Sequence, residues 1–260
     1  MVTRDTAWAP GTPCWTDLAV DSVDKAIVFY GGLFGWEVER GGEEAGGYSM
    51  ARLYGKNVAG LGPKQDSAQP STWTTYLATD DADATVAKVK AAGGQVLVEV
   101  MDVMDVGRMA IATDVAGAVF GIWQSLAHTG AQIANEPGAM SWNENMSRDF
   151  EGNKKFYAEV FGYKFGDMSN EDFSYATLDL DGSSVGGIGA LPADTPAEVP
   201  ANWTTYFTVG DTDAAIKQIE ELGGQVVAPA FDSPYGRMAV VSDDQGAVFA
   251  IIDQSAGTGD

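Results

Sequence analysis

The most constraining feature of this sequence is that it is written twice. WTTYLATDDADATVAKVKAAGGQV (73–96) recurs as WTTYFTVGDTDAAIKQIEELGGQV (203–226), with 11 of 24 positions identical. GTPCWTDLAVDSVDKAIVFYGGLFGW (11–36) matches GAMSWNENMSRDFEGNKKFYAEVFGY (138–163), and GRMAIATDVAGAVFGIWQ (107–124) matches GRMAVVSDDQGAVFAIIDQ (236–254). The offsets are 127, 130 and 129 residues, so only small loop changes separate the copies. A chain of 260 residues has the length of about two domains. We expect one domain at 9–126, a linker at 127–137 rich in small and polar residues, and a second domain at 138–256.

Within a copy, the hydrophobic period switches between strand and helix. Cys14 to Val20 reads as a strand. Ser22 can cap a helix whose Val23, Ala26, Ile27, Tyr30, Leu33 and Phe34 form an apolar stripe, ended by Gly35. WEVER, GYSMARLY and NVAGLG supply three short strands, and STWTTYLAT opens a second unit with a helix over 81–92. Asp80, Asp81 and Asp83 suit the positive end of that helix. Each domain is thus an α+β pair of βαβββ units, and the chain holds four.

Composition removes several classes of function. No apolar stretch approaches the roughly 20 residues that cross a bilayer, and the first residues lack a signal-peptide pattern. The expected location is therefore the cytoplasm. Against 37 acidic residues stand 15 basic ones, a field that repels nucleic acid and anionic membranes. The single cysteine, Cys14, excludes an internal disulfide and a cysteine-built metal cage, and its apolar setting suits a buried hydrophobe. No loop has the glycine and lysine pattern that cradles phosphate.

The two motifs DSVDKAIVFYGGLFGW and GRMAIATDVAGAVFGIWQ, with the DADATVAKVKAAGGQV helix between them, resemble the vicinal oxygen chelate (glyoxalase/bleomycin-resistance) superfamily, in particular its tandem-domain actinobacterial members. That resemblance covers about residues 11–255. It implies that paired βαβββ units curl into a cup, whose enzymes hold a divalent metal through His and Glu on the first, fourth, fifth and last strands. Carried over by position, those places fall on Trp15, about Gly60, Thr74 and Gly121, and again on Trp142, about Gly187, Thr204 and Ala250. None is a usual metal ligand. The only histidine, His128, lies in the linker and is expected to be solvated. We therefore expect no metal and no cofactor.

Strand alternation shows what shares the cup face with those positions. Trp15 and Asp17 point inward on the first strand, with Trp142 and Glu144 as counterparts. Thr74 and Tyr76, and Thr204 and Tyr206, point inward on the fifth. Trp123 does so on the last strand, opposite Ile252 in the repeat. Aromatic walls, one carboxylate, a phenol and a hydroxyl, with glycine or alanine leaving space, suit an organic ligand. The alternative is that these side chains fill a shut cup, but a carboxylate on that face is costly to bury without a partner, which favours the pocket. Asp17 and Glu144 could move a proton, bind a ligand's cation or hydroxyl, or pair with Arg108 and Arg237 from the two GRM motifs. Three functions follow: metal-independent binding of an aromatic or cationic metabolite or antibiotic; a metal-independent lyase, isomerase or cyclase of secondary metabolism using a cup carboxylate; and, after these, a metal-dependent glyoxalase or dioxygenase. The partner is a small molecule, and the protein a monomer or homodimer with cups formed either within a domain or across two.

Overall fold

The computed structural model describes residues 2–171 and 173–257. The first half runs β1 (Val2–Thr3), β2 (Pro13–Val20), α1 (Val23–Phe34), β3 (Glu37–Arg40), β4 (Ser49–Leu53), β5 (Lys56–Pro63), β6 (Thr72–Thr79), α2 (Ala82–Ala91), β7 (Gln95–Val103), β8 (Gly107–Thr113) and β9 (Val119–Ser125). A two-residue strand β10 (Ile133–Ala134) pairs with β1. The second half repeats the order as β11 (Met140–Ser147), α3 (Phe150–Phe161), β12 (Lys164–Asp167), β13 (Tyr175–Leu180), β14 (Ser183–Ala190), β15 (Asn202–Thr208), α4 (Thr212–Glu221), β16 (Gln225–Ser233), β17 (Gly236–Ser242) and β18 (Val248–Asp253).

The local signals act as their chemistry requires. Ser22, Asp81, Asp149 and Asp211 each accept a backbone N–H from the first turn of the helix they precede. Gly35 and Gly162 close α1 and α3 with φ of 70° and 78°, a left-handed turn that glycine adopts without strain. The apolar stripe of α1 also includes Phe29, which is fully buried, whereas Val23, Ile27 and Leu33 are only half-buried.

Two eight-stranded sheets result, ordered β3-β4-β5-β2-β6-β9-β8-β7 and β12-β13-β14-β11-β15-β18-β17-β16. Each sheet is made by one half of the chain, its two units meeting at an antiparallel seam, β2 against β6 and β11 against β15. Both cups are therefore built within a half.

The helix-bearing faces of the two sheets turn toward each other. Phe29, Tyr30, Phe34 and Trp36 of the first half share one apolar cluster with Phe207, Ile219, Phe249 and Ile251 of the second. Phe120, Val86 and Val89 share another with Phe156, Tyr157 and Leu178. At the centre, Asn143 Oδ1 accepts hydrogen bonds from both Thr75 and Thr205 (each 2.9 Å). Pairing these polar groups removes the cost of burying them. The concave faces consequently point away from the shared core. No helix among the described residues is long and apolar enough to cross a membrane.

Candidate functional site

Alternation along β2 places Trp15 and Asp17 on the concave face of the first sheet, while Thr16 between them is buried against Thr205 of the other half. Asp17 lies level with Thr74 on β6 and Gly60 on β5; Trp15 lies level with Tyr76, which in turn pairs with Gly121 on β9. The residues expected from sequence thus meet on one floor. Trp123, two residues on from Gly121, joins them.

The small residues do not leave space. A Cβ built on Gly60 would lie 1.7 Å from the Tyr48 hydroxyl, and one on Gly121 would lie 2.1 Å from the Tyr76 ring. On Gly107 it would meet the Trp123 ring at 2.3 Å. In the second sheet a Cβ on Gly187 would lie 1.8 Å from the Tyr175 hydroxyl. Each glycine is the seat of an aromatic ring, which corrects the expectation that these small residues leave space.

Tyr48 and Tyr175 complete the two floors. Trp15 Nε1 donates to Tyr48 Oη and Trp142 Nε1 to Tyr175 Oη, both at 3.0 Å. In the second cup Tyr175 donates onward to Glu144 Oε2 (3.0 Å), and Tyr206 donates to Glu144 Oε1 (2.6 Å). In the first, Tyr76 hydrogen-bonds Asp17. The half-buried Glu144 carboxyl is therefore held by two phenols, and the half-buried Asp17 carboxyl lies beside one. Burial pushes Asp17 up to about 7, opposed by the Tyr76 hydrogen bond. Burial also raises Glu144 above the usual carboxylate range, with the Tyr206 and Tyr175 hydrogen bonds pulling the other way. Burial and the nearby carboxylate push the tyrosines well up, so they stay donors. Thr74 stands beside Asp17, and Thr204 donates to Asn202 Oδ1 (3.0 Å). Ile252 and Met238 pack with Tyr206 and Trp142 on the second floor.

Two expectations are overturned. Arg108 binds Asp83 (2.7 Å) and Asp102 (3.0 Å), and Arg237 binds Asp213 (3.0 Å) and Asp232 (2.9 Å), at the solvent surface away from the cup carboxylates. Each arginine found nearby helix and strand acids that cost little desolvation to pair. His128 is half-buried rather than solvated. Its ring sits 4.4 Å from Trp15 and 5.3 Å from Trp123, its carbonyl accepts from Trp123 Nε1 (2.9 Å), and its Nε2 is buried without a hydrogen-bond partner. Burial pulls its pKa down to about 4, so the ring is neutral.

Sequence reasoning missed Tyr48, Tyr175 and the placement of His128. Tyr48 immediately precedes β4 and Tyr175 opens β13, at the same offset of 127 that relates Trp15 to Trp142, a duplicated aromatic that could have been found. A divalent metal, which this kind of fold implies, does not fit these donors. Each floor offers one carboxylate among protonated phenols, and no group of three or more His, Cys, Asp or Glu among the described residues could hold an ion.

Two sheets of paired βαβββ units define a tandem glyoxalase-type architecture. The sequence model of the Glyoxalase/Bleomycin resistance protein/Dioxygenase superfamily matches residues 14–122 and 146–251, and the chain belongs to that superfamily. It is 40% identical over 249 residues to CFP32 of Mycobacterium tuberculosis, which bears a glyoxylase name, covering 93% of this chain and 94% of that one. It is 34% identical to the anthracycline biosynthesis protein DnrV of Streptomyces peucetius, over 97% of this chain and 96% of the relative. Among solved structures, the Mn(II)-bound glyoxalase of Novosphingobium aromaticivorans superposes with a TM-score of 0.65 at 18% identity, covering 95% of this chain and 86% of that one. At that identity the likeness is one of fold.

Proposed function

We propose that the protein binds a small organic molecule without a metal, laying an aromatic or cationic group against a tryptophan wall and setting a hydroxyl or amine on a cup carboxylate. The observation that carries this reading is Glu144: half-buried, in no ion pair with an arginine or lysine among the described residues, and held by two tyrosine hydroxyls beside Trp142. A carboxylate positioned this way keeps acceptor capacity for a ligand donor, and the indole offers a flat apolar face. The likeness to a protein named for anthracycline biosynthesis supports planar, hydroxylated aromatics of secondary metabolism as the ligand class.

The test is titration of chelator-treated protein with quinizarin, a planar dihydroxyanthraquinone, and with planar aromatic cations. Saturable quenching of tryptophan fluorescence is expected, lost in the Trp15→Ala/Trp142→Ala double variant. At a hundredfold excess over Kd, binding stabilises the fold by about 2.7 kcal/mol. No binding across the panel, or binding that needs added Mn²⁺, overturns the reading.

A second reading is favoured by Asp17, whose carboxyl is pushed up to about 7, within the range of an efficient general base. Asp17 or Glu144 would take a proton from a carbon acid while Tyr76 or Tyr206 donates to the oxygen that gains charge. Turnover that persists in chelator and vanishes in Asp17→Asn or Glu144→Gln supports it; turnover indifferent to both sinks it.

A further inference from the structure

The two cups share a floor pattern of tryptophan, carboxylate and tyrosine and have different mouths. In the second, Met168 follows β12, one edge of the sheet, and Tyr235 stands between β16 and β17 at the other edge. Tyr235 Oη nevertheless donates to Met168 Sδ at 3.1 Å, so the contact spans the cup from rim to rim. Both side chains are largely exposed, at 56% and 43%. Phe173 stacks on Tyr175 (5.4 Å, 19° between planes), and Met168 N donates to the Tyr175 carbonyl (2.9 Å). The rim is thus tied to the tyrosine that holds Glu144.

At the same offsets the first half has Gly41, Gly46 and Val106 in place of Met168, Phe173 and Tyr235, and so lacks the thioether and both rings. The chain beyond β9 crosses that mouth instead. Leu126 N and His128 N both donate to the Val106 carbonyl, and the His128 ring is wedged between Trp15 and Trp123. Trp15 is left 3% exposed, whereas Trp142 stays half-buried. The position matching His128 in the second half is Gly257, which packs on the backbone of Pro234–Gly236 and has no side chain to insert.

We propose that only the second cup takes ligand, through a mouth formed by Met168, Phe173 and Tyr235, and that His128 plugs the first. This rests on the binding reading above and assigns it one site. The ligand is a neutral or cationic planar aromatic whose hydroxyl donates to Glu144, with its faces between Trp142 and the rim's rings and thioether. Exposed Tyr235 and Met168 part to admit it without disturbing the core.

Calorimetric titration of the full chain with quinizarin in chelator tests this. One site per chain is expected, with Glu144→Gln weakening affinity at least about tenfold through loss of a charge-assisted hydrogen bond. Tyr235→Ala, at an exposed rim position that folding tolerates, is expected to speed dissociation in stopped flow. His128→Gly is expected to open the first cup and add a second site. Two equivalent sites in the unmodified chain, or one site indifferent to both Glu144→Gln and Tyr235→Ala, overturns the assignment while leaving the binding reading intact. No quinizarin or aromatic-cation binding by the unmodified chain overturns both.

Discussion

At the residue scale, two kinds of group matter: glycines that seat rings, and titratable side chains whose burial sets their charge. A Cβ at position 121 would meet the Tyr76 ring at three atoms within 2.5 Å, and the ring, itself buried on the cup floor, has little room to move aside. Gly121→Ala is therefore expected to cost about 1–3 kcal/mol, read from urea unfolding. Asp17 and His128 lie in the same cup and act on stability with opposite signs. Folding raises Asp17 from 3.8 to about 7, so the folded chain holds that proton longer and stability falls as pH rises across this window. Folding lowers His128 from 6.5 to about 4, so the unfolded chain protonates first and stability falls as pH drops across that window. Relative to the unmodified chain, Asp17→Asn should gain stability as pH rises toward 7, and His128→Gln should gain as pH drops toward 4. Parallel pH profiles for all three chains would refute the assignment.

At the element scale, the helices serve the opposite half as much as their own. Tyr30 on α1 donates to Asp243 Oδ2 (3.0 Å) and accepts from Trp73 Nε1 (3.1 Å); Tyr157 on α3 donates to Asp114 Oδ2 (3.0 Å) and accepts from Trp203 Nε1 (2.7 Å). Both aspartates also accept backbone N–H groups from the turn before the last strand of a half, Asp114 from Ala116 and Ala118, Asp243 from Gln245 and Ala247. One hydroxyl thus links a helix, a central strand and a turn across the shared core. Tyr157→Phe keeps the ring but leaves a buried indole N–H without its acceptor. A loss of about 1–3 kcal/mol is expected in chemical denaturation. The Tyr30→Phe change should match it, because the duplication repeats the linkage.

At the scale of the whole molecule, the faces that a single cup would expose are covered by the other. Phe29, Phe34 and Trp36 lie against Phe207 and Phe249, and Val86 and Phe120 lie against Phe156 and Tyr157. A half-chain alone would present these apolar faces to water, beyond what a monomeric surface normally shows. The full chain should therefore unfold in one calorimetric transition. Fragments 1–136 and 137–260 should each bind a hydrophobic dye and lack a cooperative transition, then recover it when mixed. Two separate transitions in the intact chain would contradict this coupling.

Much of this architecture is legible in the amino-acid sequence, because strand alternation, helix caps and repetition are local properties. They assign Trp15, Asp17, Tyr76 and Trp123 to one face, and Thr16 and Trp73 to the other, without reference to distant residues. They also show that the positions where a metal ligand is implied hold Trp, Thr, Gly and Ala. What local pattern cannot encode is which distant group arrives at a face. Tyr48 and Tyr175 stand at the very starts of their strands, where alternation is weakest as a signal; only the curl of each sheet brings their hydroxyls over Gly60 and Gly187. His128 belongs to a segment with no period at all, and its wedge between two tryptophans exists because the chain beyond β9 returns past β6 to the start of β2, where Ala131 N donates to the Cys14 carbonyl. The arginines of the GRM motifs were drawn to exposed acids nearby because a surface pair forms with little desolvation. The sequence alone determined which tryptophan, carboxylate, threonine and tyrosine of the central strands share each floor, because alternation is local; the tertiary structure decided which distant tyrosine completes it, how its carboxylate is held, and that the two mouths differ.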